Sequence, residues 1–135
     1  MKQILDLINE VHAGYFATVE GNQPRVRAFG FGYYDDGKFW FCTSSAKKVY
    51  DQLKATPYAE IMFTKPDFSK YVRLSGHVVF DEGTEAKKKV MEAMPGVAAL
   101  YKSPDNPIFK VFYLEKGQAV LETFPNKEQP YIVNF

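Results

Sequence analysis

Thr43, Ser44, Lys47 and Lys48 fall within one short stretch, Phe41-Cys42-Thr43-Ser44-Ser45-Ala46-Lys47-Lys48. It reads as a strand end running into a helix start. Hydroxyls and free backbone N–H groups converge there, the helix dipole favours an anion, and two lysines add positive charge. This is phosphate-binding chemistry without a P-loop, although a serine N-cap with exposed lysines explains the same residues. A second stretch, Gln23-Pro24-Arg25-Val26-Arg27-Ala28-Phe29-Gly30-Phe31-Gly32, alternates in character. Strand geometry puts Arg25, Arg27, Phe29 and Phe31 on one face and Val26, Ala28, Gly30 and Gly32 on the other. Small residues let another backbone or a flat ring approach closely. A strand packed on a helix, with its arginines in solvent, is the competing reading. On a neighbouring strand, Arg27 can reach the same point as the two lysines.

Other chemistries find no residues to carry them. His12 and His77 are the only histidines, and neither sits in a cluster with metal-ligand spacing. No Gly-x-Ser-x-Gly elbow, P-loop or Gly-x-Gly-x-x-Gly occurs. Asp35-Asp36 and Asp81-Glu82 lie where turns are expected and read as solvated turn residues. With no self-sufficient catalytic machinery, any redox chemistry needs a bound cofactor.

The net charge of +1 argues against a nucleic-acid binder. The one basic run, Lys87-Lys88-Lys89, reads as a solvated helix face. Cys42 is the only cysteine, so a reducing compartment is expected. The first residues mix polar with apolar side chains, unlike a signal peptide, and no stretch reaches the ~18 continuous apolar residues of a membrane helix. A soluble cytoplasmic protein without membrane partners is the expectation.

The elements that must position these residues follow from periodicity and turn chemistry. Ile4, Leu5, Leu7, Ile8 and Val11 repeat at helical spacing, with Gly14 placed to end the helix. Strands are predicted over 15–20, 25–34, 39–43, 58–64 and 71–81, with a hairpin at Asp35-Asp36-Gly37-Lys38. A helix over 46–55 has Ser44 or Ser45 as its N-cap, and another has Thr84 as its N-cap with Glu85 in its first turn and ends near Met94-Pro95-Gly96. A further short helix through Leu100 is possible from the pattern. Residues 109–115 and 118–124 form a closing hairpin around Lys116-Gly117, and the tail from Pro125 to Phe135 either packs on a partner or frays. The 46% hydrophobic and 16% aromatic content fits one ordered domain over 1–135. The expected class is α+β, a mainly antiparallel six- to seven-stranded barrel with two to four short helices, closure of the sheet removing its exposed edges.

Taken together, the chain resembles the pyridoxamine 5′-phosphate oxidase-like family, the FMN-binding split barrels. The marks are Gln23-Pro24-Arg25-Val26-Arg27 opening a strand, the Asp-Asp-Gly-Lys turn, and Phe41-Cys42-Thr43 at the next strand's end. Lys48-Val49-Tyr50-Asp51-Gln52-Leu53 then leads to Pro57, and Tyr71-Val72-Arg73-Leu74-Ser75-Gly76 matches a later strand. The resemblance implies that the backbone around Val26, Arg27 and Ala28 lies along the isoalloxazine ring. It implies that Arg27, Thr43, Ser44, Lys47 and Lys48 hold the phosphate and ribityl chain of FMN, with Arg73 either a further contact or structural. It also implies a homodimer whose subunits share each FMN site. Aromatic positions between Tyr101 and Tyr113 would then come from the second chain or fill the dimer core.

One departure matters. The family's namesake enzymes recognise substrate with C-terminal Arg and His residues, whereas here Arg73 is the last arginine and His77 the last histidine. Vitamin B6 oxidation is therefore not expected. What remains is an FMN-dependent oxidoreductase with a small-molecule substrate. Two alternatives stay open: a related barrel binding F420 or haem, and a flavin-binding protein without turnover.

Overall fold

The computed structural model describes residues 1–125 and 128–135; Asn126 and Lys127, inside the C-terminal tail, lie outside the described residues. The chain runs α1 (Lys2–Val11), β1 (Ala13–Glu20), β2 (Gln23–Gly30), β3 (Tyr33–Asp35), β4 (Lys38–Ser44), α2 (Lys48–Ala55), β5 (Tyr58–Thr64), β6 (Lys70–Asp81), α3 (Thr84–Ala93), α4 (Pro95–Tyr101), β7 (Phe109–Thr123) and β8 (Tyr131–Asn134). The described strands form one antiparallel sheet in the order β2-β1-β5-β6-β7-β4-β3, with β8 paired to β7. This is the α+β split barrel expected from the sequence, with one strand more.

Alternation along the strands builds the interior. Phe16, Phe41, Phe63, Leu74, Phe112 and Leu114 are fully buried on the inner face, and Phe29 stacks on Phe16 at 4.4 Å. Helix α1 adds Ile4, Leu7 and Ile8 to this core, and α2 adds Val49 and Leu53. A second cluster lies on the outer face of β4 and β7, where Trp40, Phe109 and Val111 pack against Val90 and Met91 of α3 and Tyr101 of α4.

The β3–β4 turn follows the predicted chemistry, and the end of α1 does not. Asp36 and Gly37 take positive φ values of 46° and 75°, as a two-residue hairpin between β3 and β4 demands. Helix α1 ends at His12, whose φ is 63° and whose N–H donates to the Ile8 carbonyl, so Gly14 lies inside β1 instead of capping the helix.

Other segments differ from expectation for identifiable reasons. The single strand over 25–34 is broken at Phe31-Gly32. There the Phe31 N–H donates to His12 O and the Gly32 N–H to Trp40 O, carrying the chain from one side of the barrel to the other. A Cβ on Gly32 would stand 2.6 Å from the Trp40 carbonyl oxygen, so only glycine permits this crossing. The hairpin at Lys116-Gly117 does not form. Lys116 adopts a φ of 51° and the strand bends without reversing; β7 stays paired with β6 on both sides of a register shift at Ser75/His77. A 15-residue strand thus serves β4 with its first half and β8 with its second.

The last five residues of the tail are ordered against their own subunit. Residues Tyr131–Asn134 pair with Gln118–Leu121, and the Phe135 ring packs 4.7 Å from Phe39. Lys87 is buried in the angle where Glu82 accepts a hydrogen bond from Lys110, so only Lys88 and Lys89 of the basic run are solvated. No described helix is long and apolar enough to cross a membrane.

Candidate functional site

The barrel is incomplete along one seam. Strand β2 pairs with β1 on one side only, and β4 beyond Trp40 pairs with β7 on one side only, because β3 covers just Lys38, Phe39 and Trp40. The two free backbone edges face each other. They are joined where the Gly32 N–H donates to Trp40 O, and among the described residues no strand pairing joins β2 to β4. Their separation leaves a cleft of about 210 Å3 lined by Arg27, Ala28, Phe29 and Gly30 of β2, Cys42 and Thr43 of β4, and Lys47 and Val49 at the start of α2. Helix α4 roofs it with Val97, Leu100 and Tyr101, joined by Met94 just before the helix.

Two polar groups in this cleft are left incomplete. Thr43 is only 3% exposed, and its Oγ1 is buried without a hydrogen-bond partner among the described residues. Such an orphan costs on the order of 1–3 kcal/mol and calls for a ligand or water. The second is Arg27. Its Nη1 donates to the Phe16 carbonyl at 3.3 Å and to Thr18 Oγ1 at 2.6 Å, and its Nη2 donates to Gln52 Oε1 at 2.7 Å. All three acceptors are neutral. Burial, with Arg25 nearby, presses the guanidinium below its usual pKa, the mark of a cation whose charge is not compensated. Its Nε–H and remaining Nη2–H, which share one edge, have no partner among the described residues. That edge is a fork suited to two oxygens of one phosphate.

The remaining sequence candidates divide clearly. Ala28 and Lys47 line the cleft with Arg27 and Thr43. Val26 is 66% exposed on the outer face of β2, just beyond the cleft. Ser44 is buried, and its Oγ accepts the Ala46 N–H at 3.1 Å, closing a turn before the helix. Helix α2 starts only at Lys48, with Lys47 as its N-cap and no side-chain cap, so neither Ser44 nor Ser45 serves as one. Lys48 is exposed beside the cleft mouth without lining it. Arg73 lies elsewhere, on the outer face of β6, paired to Glu60 at 3.2 Å and Glu122 at 3.1 Å. Those carboxylates, Glu122 foremost, raise its pKa, and its role here is to tie β5, β6 and β7 together.

The aromatic positions between Tyr101 and Tyr113 all make contacts within this subunit. Tyr101, Phe109 and Phe112 are buried in this subunit, and Tyr113 packs 4.7 Å from Trp40. Tyr101 lines the same chain's cleft. Cys42 also reaches the cleft, but burial pushes its thiol up to about 11, so it is protonated at neutral pH and no nucleophile. Thr18, Gln52 and the apolar roof of α4 went unmarked in the sequence. The one available signal was Gln52 itself, a polar residue at the i+3 position of the buried stripe Val49, Gln52, Leu53.

The comparisons with known proteins agree with this architecture. A family model described as pyridoxamine 5′-phosphate oxidase matches residues 1–119. A nimC/nimA family protein from Clostridium acetobutylicum is 34% identical, with a TM-score of 0.85 over 98% of this chain and 93% of that one. More distant structures share the fold. A pyridoxamine 5′-phosphate oxidase-related, FMN-binding protein from Nostoc punctiforme is 16% identical, with a TM-score of 0.67 over 99% and 96% of the two chains. A haem-binding protein from Mycobacterium smegmatis is 19% identical, with a TM-score of 0.77 over 98% of this chain and 56% of that one. No protein among the curated sequences compared matches the chain.

Proposed function

We propose that this chain, which belongs to the pyridoxamine 5′-phosphate oxidase family, binds FMN through the seam cleft and works as a flavin oxidoreductase on a small substrate. The observation that carries the reading is that one cleft is lined both by Arg27, whose guanidinium meets only neutral groups, and by Thr43, whose buried hydroxyl has no partner among the described residues. A phosphate bound there accepts from both, and Lys47 adds a third positive contact at the cleft wall. The cleft, at about 210 Å3, is below the ~300–1,000 Å3 of sites that enclose a drug-sized ligand. It therefore holds the phosphate end, and the ring lies outside it along the free edge of β2. Strand alternation turns the peptide groups of Arg27 toward Phe16 of β1, so those of Val26 and Ala28 on either side of it are the ones presented to a flat polar ring.

The residues bind, orient and exclude water; none supplies a proton at neutral pH by an evident acid–base pair. FMN, when bound, supplies the hydride or electron transfer. A haem reading has less to rest on, because neither His12 nor His77 lines the cleft to act as an imidazole ligand.

The ring needs a second wall, and a homodimer is the proposed source. Helices leave the outer face of β1, β2 and β5 uncovered, and Tyr15, Val26 and Tyr58 are 55%, 66% and 62% exposed on it. A two-fold contact over this face would cover the apolar surface and bring a partner to each ring. Titration by flavin fluorescence together with light scattering on the eluting protein tests the proposal. The expected result is a dimer binding two FMN, with FMN preferred over riboflavin at least tenfold. A monomer with full FMN affinity would overturn the shared site, and equal affinity for riboflavin would overturn the phosphate assignment.

A further inference from the structure

We infer that Gln52, which does not itself line the cleft, is the positioning residue that aims Arg27 at the phosphate while leaving its charge unspent. The inference rests on the reading of the cleft as a phosphate site. Gln52 is 6% exposed on α2 and Thr18 is 2% exposed on β1, so the group that meets Arg27 comes from two elements with little freedom to move. Gln52 Oε1 accepts from Thr18 Oγ1 at 2.5 Å and from Arg27 Nη2 at 2.7 Å, and Thr18 Oγ1 accepts from Arg27 Nη1 at 2.6 Å. The three side chains close a triangle.

The orientation of the Gln52 amide is itself fixed. Its Nε2 donates to Glu20 Oε2 at 3.2 Å, and turning it over would set an NH2 group against the guanidinium and an oxygen against the carboxylate, losing the bonds to both Arg27 and Glu20. Glu20 in turn is occupied by Arg25 at 3.0 Å, whose hydrogen bond, helped by that from Gln52, holds the carboxylate below its usual pKa. The negative charge is thus kept one residue away from Arg27 and already matched. A neutral amide stands in the one place where a carboxylate would pair with Arg27 and compete with a ligand's phosphate. This arrangement holds the guanidinium rigid on one edge and open on the other.

If Gln52 only satisfied a buried polar group, its loss would weaken every ligand alike. If it aims Arg27, the loss falls on the phosphate alone. Dissociation constants for FMN and riboflavin, measured by flavin fluorescence on the full-length protein, separate the two. Gln52→Met keeps the length and removes the acceptor, and should weaken FMN about threefold to tenfold while riboflavin changes less than about twofold. Gln52→Glu keeps the acceptor but adds the counter-charge, and should weaken FMN more than Gln52→Met does. Thr18→Val, which removes the other side of the triangle, gives an independent reading should a Gln52 variant fold poorly, and should also lower FMN selectively.

An unchanged ratio of FMN to riboflavin affinity across the variants would overturn the inference, provided the wild type prefers FMN. Tighter FMN binding by Gln52→Glu would overturn it too. A wild type with no preference for FMN would bring down the phosphate reading itself and this inference with it.

Discussion

Replacing Arg27 with alanine is expected to weaken FMN binding at least tenfold and to leave riboflavin within about twofold. A charge-assisted hydrogen bond contributes ~1.5–3 kcal/mol, and ~1.4 kcal/mol is a factor of ten in affinity. The structure concentrates that contribution on the phosphate, since the three partners Arg27 already has are neutral protein groups. Arg27→Lys should recover only part of the loss, because an ammonium brings charge without the fork. Thermal unfolding of the ligand-free proteins checks that the variants fold. Equal losses for both flavins would mean that Arg27 supports the barrel or the ring and not the phosphate.

Phe112→Ala should have the largest effect on stability. Its ring is fully buried and lies 5.4–6.0 Å from four others: Phe80 at 5.4 Å, Phe41 at 5.6 Å, Phe16 at 5.8 Å and Phe29 at 6.0 Å. Truncating a buried Phe costs about 3–5 kcal/mol, the lost transfer energy adding to an unfilled cavity. Against the ~5–15 kcal/mol that holds a typical domain together, this is a large share, and the melting temperature should fall by roughly 10 °C or more. The same ring packs against Phe29, which lines the cleft, so FMN affinity should fall with it. A drop of under about 2 °C in differential scanning calorimetry would show that the cluster repacks and is not the barrel's structural centre.

Much of the architecture was legible in the residues. Alternation around Phe29 marked its strand, and Asp35-Asp36-Gly37-Lys38 marked its hairpin, because both signals are local. Lys116-Gly117 misled for a related reason: a bend and a reversal draw on the same positive φ, and only pairing with β6 distinguishes them. Gly32 was noticed as a small residue, yet its crossing to Trp40 depends on a partner eight residues further on. The cleft shows the same division. Arg27, Thr43 and Lys47 were visible as donors of suitable type, and the structure brings them together. Arg73 was open in sequence between a further contact and a structural role, and β6 carries it to the outer face between two carboxylates. The triangle of Arg27, Thr18 and Gln52 joins three elements and leaves almost no trace in any one of them.

The visible absorbance spectrum of freshly purified protein, with the mass of the ligand released on denaturation, tests the central claim most directly. The account predicts a yellow protein carrying FMN at one molecule per chain, or a colourless one that turns yellow and holds FMN through gel filtration when FMN is supplied. A folded protein that binds no FMN, or one that purifies with haem in its place, would contradict it.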